Sequence, residues 1–190
     1  MNLKMDILLL GKENSGKTTI LNKFIDGNDV EKTIGVTFIS KLLHYENDDF
    51  FLCRFWDMSG APMYKSFIKD YIRRVHTVFV FYDVTSFDSF EHAVKIVKKI
   101  SNSKKIILVG NKTDLQYSRN VTMFDINNYL NRLKNENIHP FHIETSKNNI
   151  TAFKRVIKHL CKQRIHLIEN SKYYVTKKPD QSWWEMLNWS

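Results

Sequence analysis

Short apolar runs alternate along this chain with longer stretches in which apolar and polar residues are mixed. Apolar runs at residues 5–10, 77–82 and 106–109, and a shorter one at 141–143, predict strands. The runs at 77–82 and 106–109 are continuous, which is typical of strands covered on both faces. Stretches of helical periodicity lie between the runs, at residues 19–24, about 61–74, 88–100, 123–135 and 150–168. Because the predicted strands and helices alternate along the chain, the pattern predicts a layered α/β domain.

A predicted hairpin interrupts this alternation early in the chain. Residues 37–45 and 50–56 have strand character, and Glu46-Asn47-Asp48-Asp49 joins them. The hairpin would supply the one antiparallel edge strand of an otherwise parallel sheet. No internal repeat or low-complexity linker follows. We therefore predict one α/β domain over residues 1–170, with a six-stranded sheet and helices on both faces, and a tail over residues 171–190.

The composition of the chain indicates a full hydrophobic core and a net positive charge. The chain has 190 residues, 43% of them hydrophobic, which is enough for a full core. The formal net charge of +9 favours acidic partners such as nucleotides, an anionic membrane surface or nucleic acid. The basic residues are spread along the helices, so a solvated surface accounts for most of them. Cys53 and Cys161 lie far apart in sequence and predict neither a disulfide framework nor a zinc site, which fits a reduced cytosolic chain.

One motif joins the first strand to the first helix, namely Gly11-Lys12-Glu13-Asn14-Ser15-Gly16-Lys17-Thr18. Strand, Gly-x4-Gly-Lys-Thr and helix form the setting of a phosphate-binding loop. Glycines let successive backbone N–H groups point at a phosphate, and the helix N-terminus adds partial positive charge. Lys17 would reach the β- and γ-phosphates, and the Thr18 hydroxyl would coordinate Mg²⁺. A glycine-rich turn without a ligand is the alternative.

A second motif, Asp57-Met58-Ser59-Gly60, follows a predicted strand. A carboxylate there can hold the Mg²⁺ shell through water, and the glycine lets its N–H approach a γ-phosphate. Any turn can produce this pattern, so its weight comes from its place after the phosphate-binding loop.

Two later motifs predict a purine pocket. In Asn111-Lys112-x-Asp114, the carboxylate can accept both the N1–H and the exocyclic N2–H of guanine, which adenine does not offer. The lysine stem would pack on the face of the ring. Glu144-Thr145-Ser146, at the end of the last strand, would close the pocket with a backbone N–H to guanine O6. A satisfied turn Asp is the alternative for Asp114.

The ordered set GxxxxGKT, TIG, DxxG, NKxD and ETS resembles the Ras superfamily of small GTPases over residues 5 to about 168. Residues 33–38, 56–60 and 82–85 resemble segments of the Rab group, whereas the phosphate-binding loop, with its Glu13, is similar to that of the Arf family. The resemblance implies a P-loop NTPase small G domain. Such a domain binds GTP or GDP with Mg²⁺, hydrolyses GTP and acts as a switch in vesicle trafficking or signalling.

The resemblance also implies roles for individual residues. The implied nucleotide-binding residues are Glu13, Asn14, Ser15, Gly16, Lys17, Thr18, Thr19, Thr33, Gly60, Asn111, Lys112, Asp114, Thr145, Ser146 and Lys147. The implied magnesium ligands are Thr18, Thr33 and Asp57, and the implied catalytic residues are Lys17, Thr33 and Gly60. The aromatic residues at the positions where Rab effectors pack are Phe38, Trp56 and Tyr71. An aromatic trio is by itself more often core.

Several positions depart from the family pattern. Ala61-Pro62 stands where the family has the glutamine that orients the attacking water, so hydrolysis is predicted to be slower by about one to two decades. The segment between Lys17 and Thr33 is a few residues shorter than in Ras or Rab, with no evident aromatic to cover guanine. Lys147 replaces the usual alanine, but only its backbone N–H is needed there.

The predicted tail carries Trp183, Trp184 and Trp189 beside several lysines, without a prenylatable cysteine, and Asn2 rules out N-myristoylation. These aromatics could form a short element at a membrane interface, or pack on the domain or in a partner groove. Packing or a protein partner is favoured. We expect a cytoplasmic protein that reaches membranes, if at all, through a partner.

Three functions remain open at this point. The first is a Rab-like switch with GTP-dependent effectors and with exchange and activating proteins. The second is a constitutively GTP-bound adaptor that has lost hydrolysis and acts without a lipid anchor. The third, a P-loop kinase or ATPase, is disfavoured by the Asn111-Lys112-x-Asp114 motif. Nucleic-acid binding would rest on net charge alone and is not expected.

Overall fold

The computed structural model describes residues 3–26, 35–44, 50–58, 68–100 and 104–171. The strands are β1 (Lys4–Gly11), β2 (Val36–His44), β3 (Phe50–Met58), β4 (Thr77–Asp83), β5 (Lys105–Asn111) and β6 (Phe141–Glu144). The helices are α1 (Lys17–Ile25), α2 (Ile68–Arg74), α3 (Phe87–Ile100), α4 (Met123–Asn135) and α5 (Thr151–Ser171). Thr33, Gly60, Ala61, Pro62 and the tryptophans near residue 185 lie outside the described residues.

The six strands form one sheet in the order β2-β3-β1-β4-β5-β6. β2 is antiparallel to β3, and every other neighbouring pair is parallel. This arrangement confirms the predicted α/β sheet with one antiparallel edge strand. Since the parallel strands share a direction, their carboxyl ends meet at one edge of the sheet. That edge carries Gly11, Asp57, Asp83, Asn111 and Glu144.

Apolar cores cover both faces of the sheet. Along β1, Ile7 and Leu9 belong to a core with residues of α1 and α5, whereas Leu8 and Leu10 belong to a core with residues of α2, α3 and α4. All four side chains are almost completely buried. The apolar runs thus reflect strands buried on both faces, as predicted. Phe153 of α5 lies at the centre of an aromatic cluster in the first core.

Some boundaries differ from the prediction. β3 continues to Met58, because Asp57 pairs with Thr37 and Leu9, and Met58 pairs with Val36 of β2. A short 3-10 helix at Gln116–Ser118, absent from the prediction, is formed by local turns. α4 has the predicted bounds, and its start is fixed by a capping box in which the side chains of Thr122 and Asp125 each accept the other's backbone N–H.

Two side chains that are distant in sequence meet in the first core. The Sγ atoms of Cys53 on β3 and Cys161 on α5 lie 3.4 Å apart, and both thiols are free and buried. The hydrogen bond with Cys53, and then burial, raise the pKa of the Cys161 thiol. Within the ranges described, no helix combines the length and the apolar character that a bilayer crossing requires.

Candidate nucleotide-binding site

The phosphate-binding loop connects β1 to α1 through several left-handed residues. Gly11 has φ of 144°, Asn14 62° and Gly16 86°. A Cβ on Gly11 would lie 2.3 Å from the carbonyl oxygen of Phe81, and one on Gly16 would lie 2.2 Å from Nδ2 of Asn111. Both positions therefore require glycine. Gly16 is also the N-cap of α1 and gives no side-chain cap, so the first amides of the helix remain available to an anion.

Lys17 lies inside this loop with only 5% of its surface exposed. Its Nζ donates to the carbonyl oxygens of Gly11 at 3.2 Å and Lys12 at 3.1 Å. Burial lowers the pKa of Lys17, while the charges of Asp57 and Glu13 oppose that change. The loop carbonyls orient the ammonium without neutralising it, which is the setting in which an anionic ligand is stabilised.

The predicted magnesium residues meet where β3 ends beside α1. The Thr18 hydroxyl donates to Oδ2 of Asp57, whose side chain is fully buried. A hydroxyl and a carboxylate are oxygen ligands of the kind that Mg²⁺ prefers. The structure thus brings Thr18 and Asp57 together. The third predicted ligand, Thr33, lies outside the described residues, as does Gly60 of the catalytic set.

Asn111 connects the base motif to the phosphate-binding loop. Its Nδ2 donates to the carbonyl oxygen of Ser15 at 2.8 Å, and both residues are buried. The next residue, Lys112, has φ of 67°, and its Nζ lies 2.6 Å from Oδ2 of Asp83. Asp114 follows in an exposed turn. The two halves of the site, one for phosphate and one for purine, are therefore mechanically joined.

The loop after β6 packs against the loop after β5. The Thr145 N–H donates to the carbonyl oxygen of Gly110 at 2.8 Å, and the Thr113 hydroxyl donates to that of Thr145 at 3.1 Å. Ser146 and Asn149 exchange two backbone hydrogen bonds of 3.1 Å. Thr145 and Ser146 are buried, whereas Lys147 is exposed. These bonds fix the backbone of the predicted guanine pocket.

Two further contacts at the site were not predicted from sequence. Arg119 makes two parallel hydrogen bonds to the Glu144 carboxylate, at 2.9 and 2.7 Å, and so links the segment after β5 to the end of β6. Lys12 of the phosphate-binding loop forms an ion pair with Asp88 at the start of α3. Neither pair belongs to a recognisable motif, because each depends on how strands and loops are arranged in space.

The predicted effector residues form one continuous aromatic surface on β2, β3 and α2. The ring centroids of Phe38 and Trp56 are 4.6 Å apart, and those of Trp56 and Tyr71 are 5.3 Å apart. Phe38 keeps 49% of its surface exposed, although Trp56 and Tyr71 also pack against the core. The trio is therefore an exposed surface at one end and core at the other. We call it the aromatic surface.

The described residues fit a nucleotide and a divalent cation. Ser15 Oγ and Asn111 Oδ1 are buried, and neither has a hydrogen-bond partner within the described ranges. Buried polar atoms normally have partners, so these atoms indicate a polar ligand at the loop. The left-handed residues give the loop the backbone shape that directs N–H groups inward. Lys17, and Thr18 with Asp57, would hold the phosphates and the cation.

Comparison with known protein families agrees with this geometry. The family model described as the Ras family matches residues 6–166, which is most of the chain. Its match covers the phosphate-binding loop and both base motifs. Members of that family bind GTP and GDP with Mg²⁺, hydrolyse GTP, and work with effectors and with exchange and activating proteins. The chain belongs to the Ras family, the small GTPases that act as guanine-nucleotide-binding switches.

Proposed function

We propose that this chain is a Rab-like switch that hydrolyses GTP slowly on its own and serves vesicle trafficking or signalling. The observation that carries the switch is the hydrogen bond between Asn111 and Ser15, because it couples phosphate recognition to purine recognition. The Rab-like type is supported by the aromatic surface, which presents Phe38 beside Trp56 and Tyr71.

In this proposal different site residues bind the phosphates, the magnesium ion and the guanine base. Lys17 contacts the β- and γ-phosphates, and the first amides of α1 bind phosphate oxygens. Thr18 and Asp57 hold the magnesium ion, which neutralises phosphate charge when bound. Asp114 accepts hydrogen bonds from guanine, and the stem of Lys112 packs on the ring. The ion pair between Lys112 and Asp83 holds that stem in place.

Slow hydrolysis follows from Ala61, which has no group to orient an attacking water. We expect Ala61→Gln to raise the single-turnover rate of GTP hydrolysis about ten- to a hundredfold. The assay follows phosphate release from protein loaded with GTP and Mg²⁺. Ala61→Ser is the matched control, because its hydroxyl is too short to take the place of the glutamine. A wild-type rate equal to that of an ordinary Ras-type GTPase would refute this part of the proposal.

The aromatic surface is proposed to read the nucleotide state. We expect a protein partner from a membrane-trafficking extract to bind the GTP-loaded form more tightly than the GDP-loaded form. Phe38→Ala should abolish that capture. Phe124→Ala is the matched control, since Phe124 is an exposed phenylalanine on α4, away from the surface. Equal capture by both nucleotide forms, or equal losses in both variants, would contradict the effector role.

The proposed location is the cytoplasm, with membrane contact made through a partner. In cell fractionation, a tagged chain should appear partly with membranes, and Phe38→Ala should shift it to the soluble fraction. If Phe38→Ala leaves the membrane-bound fraction unchanged, recruitment through the aromatic surface is wrong.

A constitutively GTP-bound adaptor is the alternative function, and Ala61 is the residue that favours it. An adaptor would be purified mainly with GTP, and its partner binding would not change over the time of a hydrolysis assay. A slow switch would be purified mainly with GDP and would gain its partner only after loading with GTP. Chromatography of the nucleotide released from freshly purified protein distinguishes the two functions.

A further inference from the structure

The side chain of Tyr82 on β4 passes over β5 and reaches the edge strand β6. Its hydroxyl forms a hydrogen bond of 3.0 Å with Nε2 of His142 on β6. β5 lies between these two strands, and the β5 residue that pairs with Tyr82 is Gly110. A Cβ on Gly110 would lie 2.7 Å from the Tyr82 hydroxyl oxygen. Glycine at this position therefore leaves the space through which the tyrosine contacts β6.

Burial keeps both partners of this bond uncharged at neutral pH. Tyr82 is completely buried, and burial raises the pKa of its hydroxyl far above the ordinary value. Burial also lowers the pKa of His142 to about 4. The hydroxyl donates to Nε2 when the ring proton is on Nδ1, and it accepts from Nε2 in the other tautomer. Breaking the bond would leave a buried hydroxyl without its partner, so the bond holds β4 and β6 at a fixed spacing.

The ring of Tyr82 is itself held by the core. Its centroid lies 5.0 Å from that of Phe90 on α3, in an edge-to-face contact. The ring of His142 is inclined to it by 22°, with the centroids 6.1 Å apart. Because Tyr82 and Phe90 belong to the same buried core, the tyrosine ties β6 to the middle of the sheet.

β6 is a short strand at one edge of the sheet. It contains four residues and pairs with β5 on one side. The ion pair of Glu144 with Arg119 also joins β6 to the segment after β5, but both side chains are partly exposed, and solvent weakens such pairs. The buried bond between Tyr82 and His142 therefore sets much of the spacing between β6 and the rest of the sheet.

The position of β6 matters because β5 and β6 lead into different parts of the proposed guanine pocket. Asp114, which would bind the N1 and N2 protons of guanine, follows β5. The backbone N–H that would bind guanine O6 lies in residues 145–147, after β6, and we call these residues the base loop. The Thr145 N–H donates to the carbonyl oxygen of Gly110, next to the Tyr82 hydroxyl. A shift of β6 would thus weaken the contact to O6 and leave Asp114 in place.

We propose that Tyr82, acting through His142, is a positioning residue that sets guanine specificity at O6. It holds β6 at the distance from β5 at which the backbone N–H of the base loop reaches O6. This inference rests on the proposed guanine site. A merely structural role for Tyr82 would weaken the binding of all nucleotides alike, whereas a role at O6 changes the discrimination between bases.

The test measures the affinity of the nucleotide-free full chain for three diphosphates in Mg²⁺, by competition with a fluorescent GDP analogue. GDP offers O6, the N1 proton and the N2 amino group. The diphosphate of inosine lacks the N2 amino group, and the diphosphate of 2-aminopurine riboside lacks O6 and the N1 proton. We expect the wild-type chain to bind GDP more tightly than either analogue.

Tyr82→Phe removes the hydroxyl and keeps the ring. The preference for GDP over the 2-aminopurine nucleotide should fall about threefold or more, because the hydrogen bond to O6 is weakened. The preference for GDP over the inosine nucleotide should change less than about twofold, because Asp114 stays in place. His142→Leu should give the same result from the β6 side, and the double variant should show no further fall.

Tyr129→Phe is the matched control. The Tyr129 hydroxyl donates to the backbone carbonyl of Val94 at 3.0 Å, and its ring also packs against Phe90. The variant thus removes the same group from the same core without altering a contact of β6. Both preferences should stay within about twofold of the wild-type values.

Three results would overturn this inference. The first is a fall of less than about threefold in Tyr82→Phe. The second is an equal fall in both preferences, which would indicate a general loosening of the pocket. The third is a fall in Tyr82→Phe that His142→Leu does not reproduce. Failure of the proposed function gives a different result, since the wild-type chain would then bind ADP as tightly as GDP.

Discussion

The hydrogen bond from Asn111 to Ser15 gives the sharpest test of how this site works. Asn111→Ala removes the Nδ2 donor, which lies 2.8 Å from the Ser15 carbonyl oxygen, and leaves that oxygen buried without its partner. Such a loss costs about 1–3 kcal/mol. The bond also holds a loop in which Asn14 and Gly16 have positive φ, so the loop without it relaxes when no ligand is bound. Nucleotide binding must then restore the loop.

We therefore expect Asn111→Ala to speed nucleotide release by about 5- to 150-fold. Stopped-flow release of a fluorescent GDP analogue in excess Mg²⁺ measures the rate directly. Asn128→Ala removes an exposed asparagine on α4 and is the matched control. A change below about twofold in Asn111→Ala would show that the bond does not couple the two halves of the site.

A second variant perturbs the same hydrogen bond through Gly16 of the phosphate-binding loop. In Gly16→Ala the new Cβ would lie 2.2 Å from Nδ2 of Asn111 and would displace the amide. In the double variant with Asn111→Ala the clashing amide is absent, although the backbone strain of Gly16 at φ of 86° remains. The effects of the two substitutions on nucleotide release should therefore be clearly less than additive. Additive effects would refute this reasoning.

Three further predictions concern stability and the base loops. Burial lowers the pKa of His142 from 6.5 to about 4. As the pH falls, the unfolded chain therefore binds a proton at this histidine before the folded chain does. The free energy of unfolding should fall by about 3 kcal/mol from pH 6.5 to 4. Urea titrations at several pH values should show a smaller fall in the free energy of unfolding in His142→Gln. The control variant His44→Gln should show the same fall as the wild type. Arg119→Ala should speed GDP release by roughly two- to fivefold, since its pair with Glu144 is partly exposed; an unchanged rate would refute the link. Phe153→Ala should lower the free energy of unfolding by about 3–5 kcal/mol, and a loss under about 1 kcal/mol would show that its aromatic cluster is not a closely packed core.

The sheet and the phosphate-binding loop could be predicted because their signals are local. Continuous apolar runs such as residues 77–82 mark strands covered on both faces whatever their neighbours are. The glycines of the loop are required by backbone φ values, and the sequence records that requirement directly as Gly11 and Gly16. The helix start at Lys17 follows from the same motif.

Contacts between distant segments could not be predicted, since they depend on strand order and register. Arg119 and Glu144 are 25 residues apart, and they meet only because β6 is placed beside β5. Cys53 and Cys161 are 108 residues apart, and nothing in the sequence indicates that their thiols share one core. The 3-10 helix at Gln116–Ser118 could not be predicted either, because Gln, Tyr and Ser carry little local preference.

β2 forms the outer edge of the sheet, and this position has a practical consequence. No described strand pairs with its free side, while Phe38 and Leu42 expose 49% and 62% of their surfaces. An apolar edge that no described strand pairs with is a template for pairing with a second molecule. Concentrated preparations should therefore tend to self-associate through β2, and a lysine in place of Leu42 would be the first change to make in a sample for crystallisation or NMR.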